Sequence, residues 1–164
     1  MDRSAPDELV EESADMSAFN TFGWINDTMG KYKRTKPILT PRFIPNMKIG
    51  LGSDVAGGQT ESVFRAITDA IGASKMYLRY VDEDEKAVTF EEAFYMATKG
   101  GGEFFGKVVS FEEGYQFDAL ILDDSILAHP LNLSLRQRLE RSIYLSLDLC
   151  GGIKEKYIQG NKII

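Results

Sequence analysis

The sequence predicts an α/β fold, and three stretches of the chain lead to that prediction. The apolar run at positions 47–52 ends abruptly in small residues, as a short buried strand does. Thr60–Tyr80 follows with apolar residues at helical spacing, which predicts an amphipathic helix that covers a sheet. Near the end of the chain, Ile153–Ile164 alternates apolar and polar residues around Gln159-Gly160-Asn161, which is typical of a β-hairpin.

Two more helices are predicted before the C-terminal part of the chain. Asn20–Tyr32 has an aromatic stripe at helical spacing, and Pro37 ends the segment. Thr89-Phe90-Glu91-Glu92 is a capping box that begins a helix running to Lys99, where Gly100–Gly102 are expected to end it. The predicted stripe of the first helix consists of Phe22, Trp24, Ile25, Met29 and Tyr32. Such a stripe favours burial in a core over a separate binding surface.

The C-terminal part is predicted to contain one strand and one helix ahead of the hairpin. Phe117–Leu122 is a short apolar run that ends at Asp123-Asp124, which indicates a strand. Leu131–Leu149 has helical spacing, and Gly151 and Gly152 follow it. The predicted buried stripe of this helix is Leu135, Leu139, Ile143, Tyr144 and Leu147.

Met47–Gly58 is the stretch most indicative of function, because one carboxylate, Asp54, stands where the apolar run ends. In α/β folds, ligands and catalytic groups lie at the carboxyl ends of strands. Asp54 is therefore a candidate metal ligand or proton shuttle, although an aspartate here could equally cap the next helix. A dinucleotide-binding fingerprint beginning at Gly50 is a third interpretation, but Val55 occupies the position of its last glycine. A phosphate-binding loop at Gly100–Gly102 lacks the Lys-Ser/Thr that would follow.

Gly50–Gly58 also resembles the strand-end motif of guanine deaminases, which belong to the amidohydrolase superfamily. The resemblance continues through Phe64-Arg65-Ala66, Thr89–Ala93, Ala97–Gly102 and Gly114–Ala119, and it covers nearly all of residues 47–164. It implies a partial (β/α)8 TIM-type barrel of the metal-dependent hydrolase class with C-terminal β-sandwich strands. It also implies zinc as the cofactor, guanine or a related purine as the substrate, and a role in purine catabolism.

The resemblance further implies roles for three residues. Asp54 would bind the catalytic metal and move protons during hydrolytic deamination of guanine to xanthine and ammonia. Arg42 and Phe43, in the proline-broken segment Ile38–Pro45, match a pair that recognises the purine. A guanidinium can donate to ring acceptors in a fixed geometry, and an aromatic ring can stack on a base. Without the resemblance, Arg42 would be interpreted as a surface residue and Phe43 as a core residue.

The chain departs from the family pattern in its histidines. Phe43 and Asp54 are eleven positions apart, where guanine deaminases have several β/α units that contain metal-binding histidines and a catalytic glutamate. A catalytic zinc site uses about three protein ligands, and the only histidine, His129, lies where the family places none. We therefore expect a guanine deaminase fragment that neither retains zinc nor turns over guanine alone. The alternative is a non-catalytic truncated product or a self-associating interaction module.

Composition and length limit the size of the fold and the classes of partner that we expect. A complete barrel of this type takes about 250 residues, so the 164 residues are expected to form only part of one. The net charge of −6 argues against nucleic acid and anionic membranes as partners, and the single Cys150 fits a reducing cytoplasm. We expect an acidic tail at 1–18, a partial barrel at 19–107, and sandwich strands with one helix at 108–164. Unpaired sheet edges in such a fragment favour a homo-oligomer.

Overall fold

A computed structural model describes residues 49–53, 58, 60–81, 83–84, 86–127 and 129–164. The predicted Asn20–Tyr32 helix and the expected acidic tail at 1–18 lie outside these residues. The described helices are α1 (Val63–Tyr80), α2 (Phe90–Ala97), α3 (Lys99–Gly102) and α4 (Leu135–Tyr144). The strands are β1 (Ala119–Leu122), β2 (Ile153–Ile158) and β3 (Asn161–Lys162), and the 3₁₀ turns are Glu103–Phe105, Ser125–Leu127 and Leu147–Cys150.

Helix α1 confirms the amphipathic helix predicted after the glycine-rich stretch, but it begins at Val63. Ser62 sets the start, because its hydroxyl accepts a hydrogen bond from the Arg65 N–H at 3.1 Å. The buried face of α1 consists of Ala66, Ile67, Ala70, Ile71 and Ser74. Val63 lies on the same face but remains 40% exposed, because it stands in the first turn, where neighbouring elements do not cover it.

Helix α2 begins with the predicted capping box. The Thr89 N–H donates to the Glu92 carboxylate at 2.8 Å, and the Glu92 N–H donates to the Thr89 hydroxyl at 3.2 Å. The prediction that Gly100–Gly102 end this helix is wrong. Helix α2 ends at Ala97, and the glycines form the short helix α3 instead. A 3₁₀ turn at Glu103–Phe105 continues from α3.

Helix α4 is shorter than predicted. A second capping box starts it, in which Ser134 accepts from the Gln137 N–H and Gln137 accepts from the Ser134 N–H. The helix stops at Tyr144, and Ser146 adopts the left-handed conformation with φ of 51° before the 3₁₀ turn Leu147–Cys150. Leu135, predicted to lie on the buried stripe, is 79% exposed, because it is the first residue of the shortened helix.

The helices pack around one hydrophobic cluster, which consists of Ile67, Ile71, Val88, Phe90, Ala93, Met96 and Ile143. Three helices contribute to it, since Ile67 lies in α1, Ala93 in α2 and Ile143 in α4. Ile49 and Leu51 pack against this cluster as partly buried residues. The apolar run that precedes Asp54 is therefore attached to the helical core.

The strands form an antiparallel sheet in the order β1-β2-β3, with Ala119 opposite Tyr157 and an irregularity between Ile121 and Leu122. The predicted C-terminal hairpin is confirmed. Gln159 and Gly160 connect its strands with φ of 51° and 79°, and positive φ at both central residues suits the twist of a two-residue hairpin turn. The described part of the chain thus contains this small antiparallel sheet and helices, and no closed barrel lies within it. None of the described helices is long and apolar enough to cross a membrane.

Candidate functional site

The three predicted site residues, Arg42, Phe43 and Asp54, lie outside the residues that the structure describes. The structure does show how the chain is held immediately before and after Asp54. Ile49–Ser53 lead towards this position, and α1 follows it after Ser62. The described residues hold the chain at two attachments, one before and one after the position of Asp54.

The first attachment joins the incoming segment to α2. The Leu51 N–H donates a hydrogen bond to the Met96 carbonyl at 3.0 Å. Met96 lies in the last turn of α2, where carbonyls lack a partner within the helix. The hydrogen bond satisfies this carbonyl and fixes the backbone three residues before Asp54.

The same attachment depends on glycines that allow two backbones to approach closely. A Cβ atom added at Gly50 would lie 3.0 Å from the Gly101 Cα, and one added at Gly101 would lie 2.8 Å from the Met96 carbonyl oxygen. Both glycines therefore serve the packing of the segment against the junction of α2 and α3. This backbone contact explains Gly50 and Gly101 without a bound nucleotide. Neither the dinucleotide-binding fingerprint nor the phosphate-binding loop is needed to explain them.

The second attachment joins the start of α1 to the C-terminal part of the chain. The Ser62 hydroxyl donates to the Asp148 carboxylate at 2.5 Å, and Ser62 is only 3% exposed. The second carboxylate oxygen of Asp148, Oδ1, is buried and has no hydrogen-bond partner within the part of the chain that the structure describes. Sequence reasoning missed Asp148, although an aspartate between Leu147 and Leu149 in an apolar stripe is a signal for a buried carboxylate.

The described residues do not assemble a metal centre. No group of three or more His, Cys, Asp or Glu side chains within them could hold a metal ion. His129 is exposed, and its Nδ1 accepts a hydrogen bond from the Leu131 N–H at 3.2 Å. The sequence contains a single histidine, whereas a catalytic zinc site typically uses about three protein ligands, most often with two or three histidines or with cysteines among them.

The acidic pair at the end of β1 is engaged in ion pairs. Arg138 donates two hydrogen bonds to the Asp124 carboxylate, at 2.7 and 2.6 Å, and lowers the pKa of that carboxyl. The pKa of Asp123 is lowered first by the Ser125 side chain, then by the Ser125 N–H, which donates to its carboxylate at 2.9 Å, and also by Lys154 at 3.4 Å. Both carboxylates therefore attach β1 to neighbouring elements.

A large apolar groove lies between the helices and the sheet, with a volume of about 1170 Å³. We call it the apolar groove, and its walls include Phe90, Phe94, Leu135, Leu139, Leu120 and Ile158. Two ion pairs lie at its wall. Arg136 binds Glu91 at 2.5 Å, which lowers the pKa of Glu91, and its guanidinium lies 5.5 Å from the centre of the Phe90 ring. Lys99 binds Glu112 at 2.5 Å, which raises the pKa of the lysine.

Residues 42–148 match the Amidohydrolase family, and the chain belongs to that family. The matched range includes the positions of Arg42, Phe43 and Asp54. Within the family, the chain is similar to guanine deaminases, as the sequence had indicated. The guanine deaminase of Dictyostelium discoideum is 35% identical over 125 residues, which are 72% of this chain and 27% of that protein. The guanine deaminase of Homo sapiens is 32% identical over 129 residues, which are 72% of this chain and 28% of that protein.

A solved structure agrees with these relatives. The crystal structure of guanine deaminase from C. acetobutylicum, with bound guanine in the active site, is 49% identical in the aligned region and superposes with a TM-score of 0.65. The alignment covers 70% of this chain and 27% of that chain. The chain therefore spans little more than a quarter of the length of the proteins it matches.

Proposed function

We propose that this chain is a fragment of a guanine deaminase-like zinc hydrolase, and that it takes part in guanine deamination only where further polypeptide supplies the histidine ligands and the catalytic glutamate. The observation that carries this proposal is the 49% identity to a guanine deaminase with guanine in its active site. The same proposal includes the substrate class, zinc as the cofactor, the partial barrel and a cytoplasmic role in purine catabolism. The division into an acidic tail at 1–18, a barrel part at 19–107 and a sandwich part at 108–164 is also a proposal.

In this proposal, Asp54 provides a carboxylate that accepts and releases a proton next to the purine. The support is the way the preceding segment is held, because Leu51 is bound to Met96 and Gly50 is packed on Gly101, although residues 49–53 do not form the predicted strand. A catalytic carboxylate must be kept within a fraction of an ångström of its productive position, which a segment attached to a packed core can achieve. Arg42 and Phe43 would hold the purine by hydrogen bonding and stacking. Because the donors of this chain do not fit a complete zinc site, we propose that the chain alone does not retain the metal.

A second candidate, a self-associating module without catalytic activity, is favoured by the apolar surface of the described part. Phe104, Phe105 and Phe111 are each at least 60% exposed. Phe104 and Phe105 are in ring contact, and exposed apolar patches mark interaction sites. This candidate predicts an oligomer that contains no zinc and releases no ammonia from guanine.

The deciding experiment places residues 47–148 of this chain into the C. acetobutylicum guanine deaminase in exchange for the stretch that they match. We expect the chimera to contain zinc near one per chain and to release ammonia from guanine, and the change Asp54→Asn to lower the rate by about a hundredfold or more. The matched control is Asp69→Asn, a surface carboxylate paired with Arg65, which should leave the rate unchanged. A folded chimera whose rate is equal with and without Asp54 would overturn the assignment of Asp54.

Both candidates predict that the isolated full chain contains no zinc and releases no ammonia, so this sample tests whether the chain supplies a complete site by itself. Elemental analysis and an ammonia assay on the same sample should find neither zinc nor turnover if the chain is a fragment that needs further ligands. Zinc near one per chain with turnover abolished by Asp54→Ala would show that the chain supplies a complete site by itself, against our proposal. An inactive chimera together with an oligomeric isolated chain would favour the interaction module.

A further inference from the structure

A second pocket lies where the chain leaves β1 and passes through the 3₁₀ turn Ser125–Leu127, beside α4. Its volume is about 320 Å³, within the range of about 300–1,000 Å³ that is usual for small-molecule sites. It shares no lining residue with the apolar groove. We call it the arginine pocket, and its lining includes Asp124, His129, Asn132, Arg138 and Arg141.

The charges that line the arginine pocket include one positive charge without an acidic partner among the described residues. Arg138 donates two hydrogen bonds to the Asp124 carboxylate, at 2.7 and 2.6 Å, so these two charges neutralise each other. Arg141 is half-buried and forms no ion pair with a described side chain. A guanidinium that has lost part of its hydration in a pocket attracts an anion. The net charge of the chain is −6, so overall composition does not explain this local positive charge.

The guanidinium of Arg141 is held at one end and retains donors at the other. Its Nη1 donates to the carbonyl of Leu127, the last residue of the 3₁₀ turn. Its Nε and Nη2 have no acceptor among the described residues. These are the two nitrogens with which Arg138 binds both oxygens of Asp124. The Nε–Nη2 edge of Arg141 can therefore bind a carboxylate or a phosphate in the same two-bonded geometry.

His129 and Asn132 add neutral donors to the same pocket. The Nδ1 atom of His129 accepts a hydrogen bond from the Leu131 N–H at 3.2 Å, so the neutral ring carries its proton on Nε2. This Nε2–H and the side-chain amide of Asn132 can each donate to an oxygen atom. The pocket thus combines one unpaired cation with neutral donors, a combination that suits an oxyanion.

We propose that the arginine pocket binds the oxyanion group of a small molecule, a phosphate or a carboxylate, with the Nε–Nη2 edge of Arg141 as its main contact. The proposal does not rest on the deaminase role, because its argument uses none of Arg42, Phe43 and Asp54. A role limited to holding the Leu127 carbonyl would use only Nη1 of Arg141. The two roles therefore differ in whether an anion binds at the Nε–Nη2 edge.

The test titrates inorganic phosphate into the full chain at constant pH and ionic strength and follows the NMR signals of the His129 ring. His129 is the only histidine of the chain, so these signals are assigned without ambiguity. We expect them to shift and to saturate. Arg141→Gln should weaken phosphate binding about tenfold or more, because a charge-assisted contact is lost. The matched control is Arg65→Gln, which removes an arginine outside the pocket that pairs with Asp69 and should leave the affinity unchanged.

Asp124→Asn tests the proposal in the opposite direction. It removes the carboxylate that occupies Arg138, so phosphate should bind about threefold or more tightly than in the wild type. This variant decides the question if Arg141→Gln does not keep its helices by far-UV circular dichroism.

Acetate in place of phosphate distinguishes the two kinds of oxyanion, and saturation by either one supports the proposal. A shift of the His129 signals that sodium chloride reproduces, or that does not saturate, would overturn it. Phosphate affinity that is the same in the wild type and in the folded variants of Arg141 and Asp124 would also overturn it, and Arg141 would then serve only to hold Leu127.

Discussion

At the scale of single residues, the attachments on either side of Asp54 depend on glycines that have no room for a side chain and on one serine hydroxyl. Gly50 and Gly101 have no space for a side chain where the two backbones meet. Ser62 is buried and makes two hydrogen bonds, one as the cap of α1 and one to Asp148. These small residues carry no chemistry themselves, yet Gly50 and Gly101 hold the segment that leads to the candidate catalytic carboxylate, and Ser62 holds the start of the helix that follows it.

The change Gly101→Ala should destabilise the protein, because its Cβ would lie 2.8 Å from the Met96 carbonyl oxygen and force the packed backbones apart. We expect a loss of about 1–3 kcal/mol in the free energy of unfolding, as for overpacked core positions. Urea unfolding followed by circular dichroism measures it. Gly72→Ala is the control, since nothing lies within 4 Å of its added Cβ and it stands inside α1. This control should stabilise the protein by about 0.5–1 kcal/mol, and equal effects of the two changes would refute the packing role of Gly101.

The change Ser62→Ala should cost more stability than removing another helix cap. It removes the cap of α1 and also leaves the half-buried Asp148 carboxylate without its described partner. We expect a loss of about 2–3 kcal/mol from the cap and the unsatisfied carboxylate together. Ser134→Ala, which removes only the capping box of α4, should cost about 1 kcal/mol. Chemical denaturation of both variants tests this, and similar losses would mean that the Ser62–Asp148 contact adds nothing.

At the scale of elements, the sequence predicted best those features that depend on neighbouring residues. The Thr89 capping box, the hairpin turn at Gln159-Gly160 and the amphipathic pattern of α1 are local, and the structure has all three. The end of α2 was mispredicted because Gly101 packs against Gly50, which is remote in sequence, and Gly102 packs against Val108 and Val109. The length of α4 was overestimated because the capping box at Ser134 was not recognised within a longer apolar pattern. The predicted roles of Asp54, Arg42 and Phe43 rest on family resemblance and remain predictions.

The ion pair between β1 and α4 should make stability depend on pH. Hydrogen bonding to Arg138 lowers the pKa of Asp124 in the folded protein below its usual value of 3.8. A lowered pKa means that the stabilisation is fully present above that usual value and is lost as the pH falls through the folded-state pKa. We expect Arg138→Gln to lower the thermal midpoint at pH 7 and to have a shrinking effect below about pH 4.

The control for this pH dependence is Arg79→Gln, which breaks the ion pair between Arg79 and Glu83. The side chains of these two residues are 74% and 77% exposed. Exposed pairs of this kind contribute little to stability, so the midpoint should change little at any pH. Thermal melts of the wild type and both variants between pH 7 and pH 3 provide the comparison. An effect of Arg138→Gln that stays constant over this range would show that the ion pair does not carry the pH dependence.

At the scale of the whole molecule, α4 connects the sheet region to the helical core. Ile143 is fully buried in the cluster formed with α1 and α2, and Arg138, on the same helix, binds Asp124 at the end of β1. Asp123 and Lys154 connect the two longer strands at the same end of the sheet. Helices and sheet should therefore unfold together, with α4 as the element that couples them.

The change Ile143→Ala tests this coupling. Removing the side chain leaves a cavity among α1, α2 and α4, and we expect a loss of about 2–5 kcal/mol in the free energy of unfolding. If the core is one cooperative unit, amide hydrogen exchange should lose protection in all three helices together, and not in α4 alone. Leu145→Ala is the control, because this neighbouring side chain is 47% exposed and should change exchange little. Protection lost only in α4 would mean that α1 and α2 hold the segment before Asp54 without help from the C-terminal part. In that case, the Ser62–Asp148 contact would still connect the C-terminal part to the start of α1.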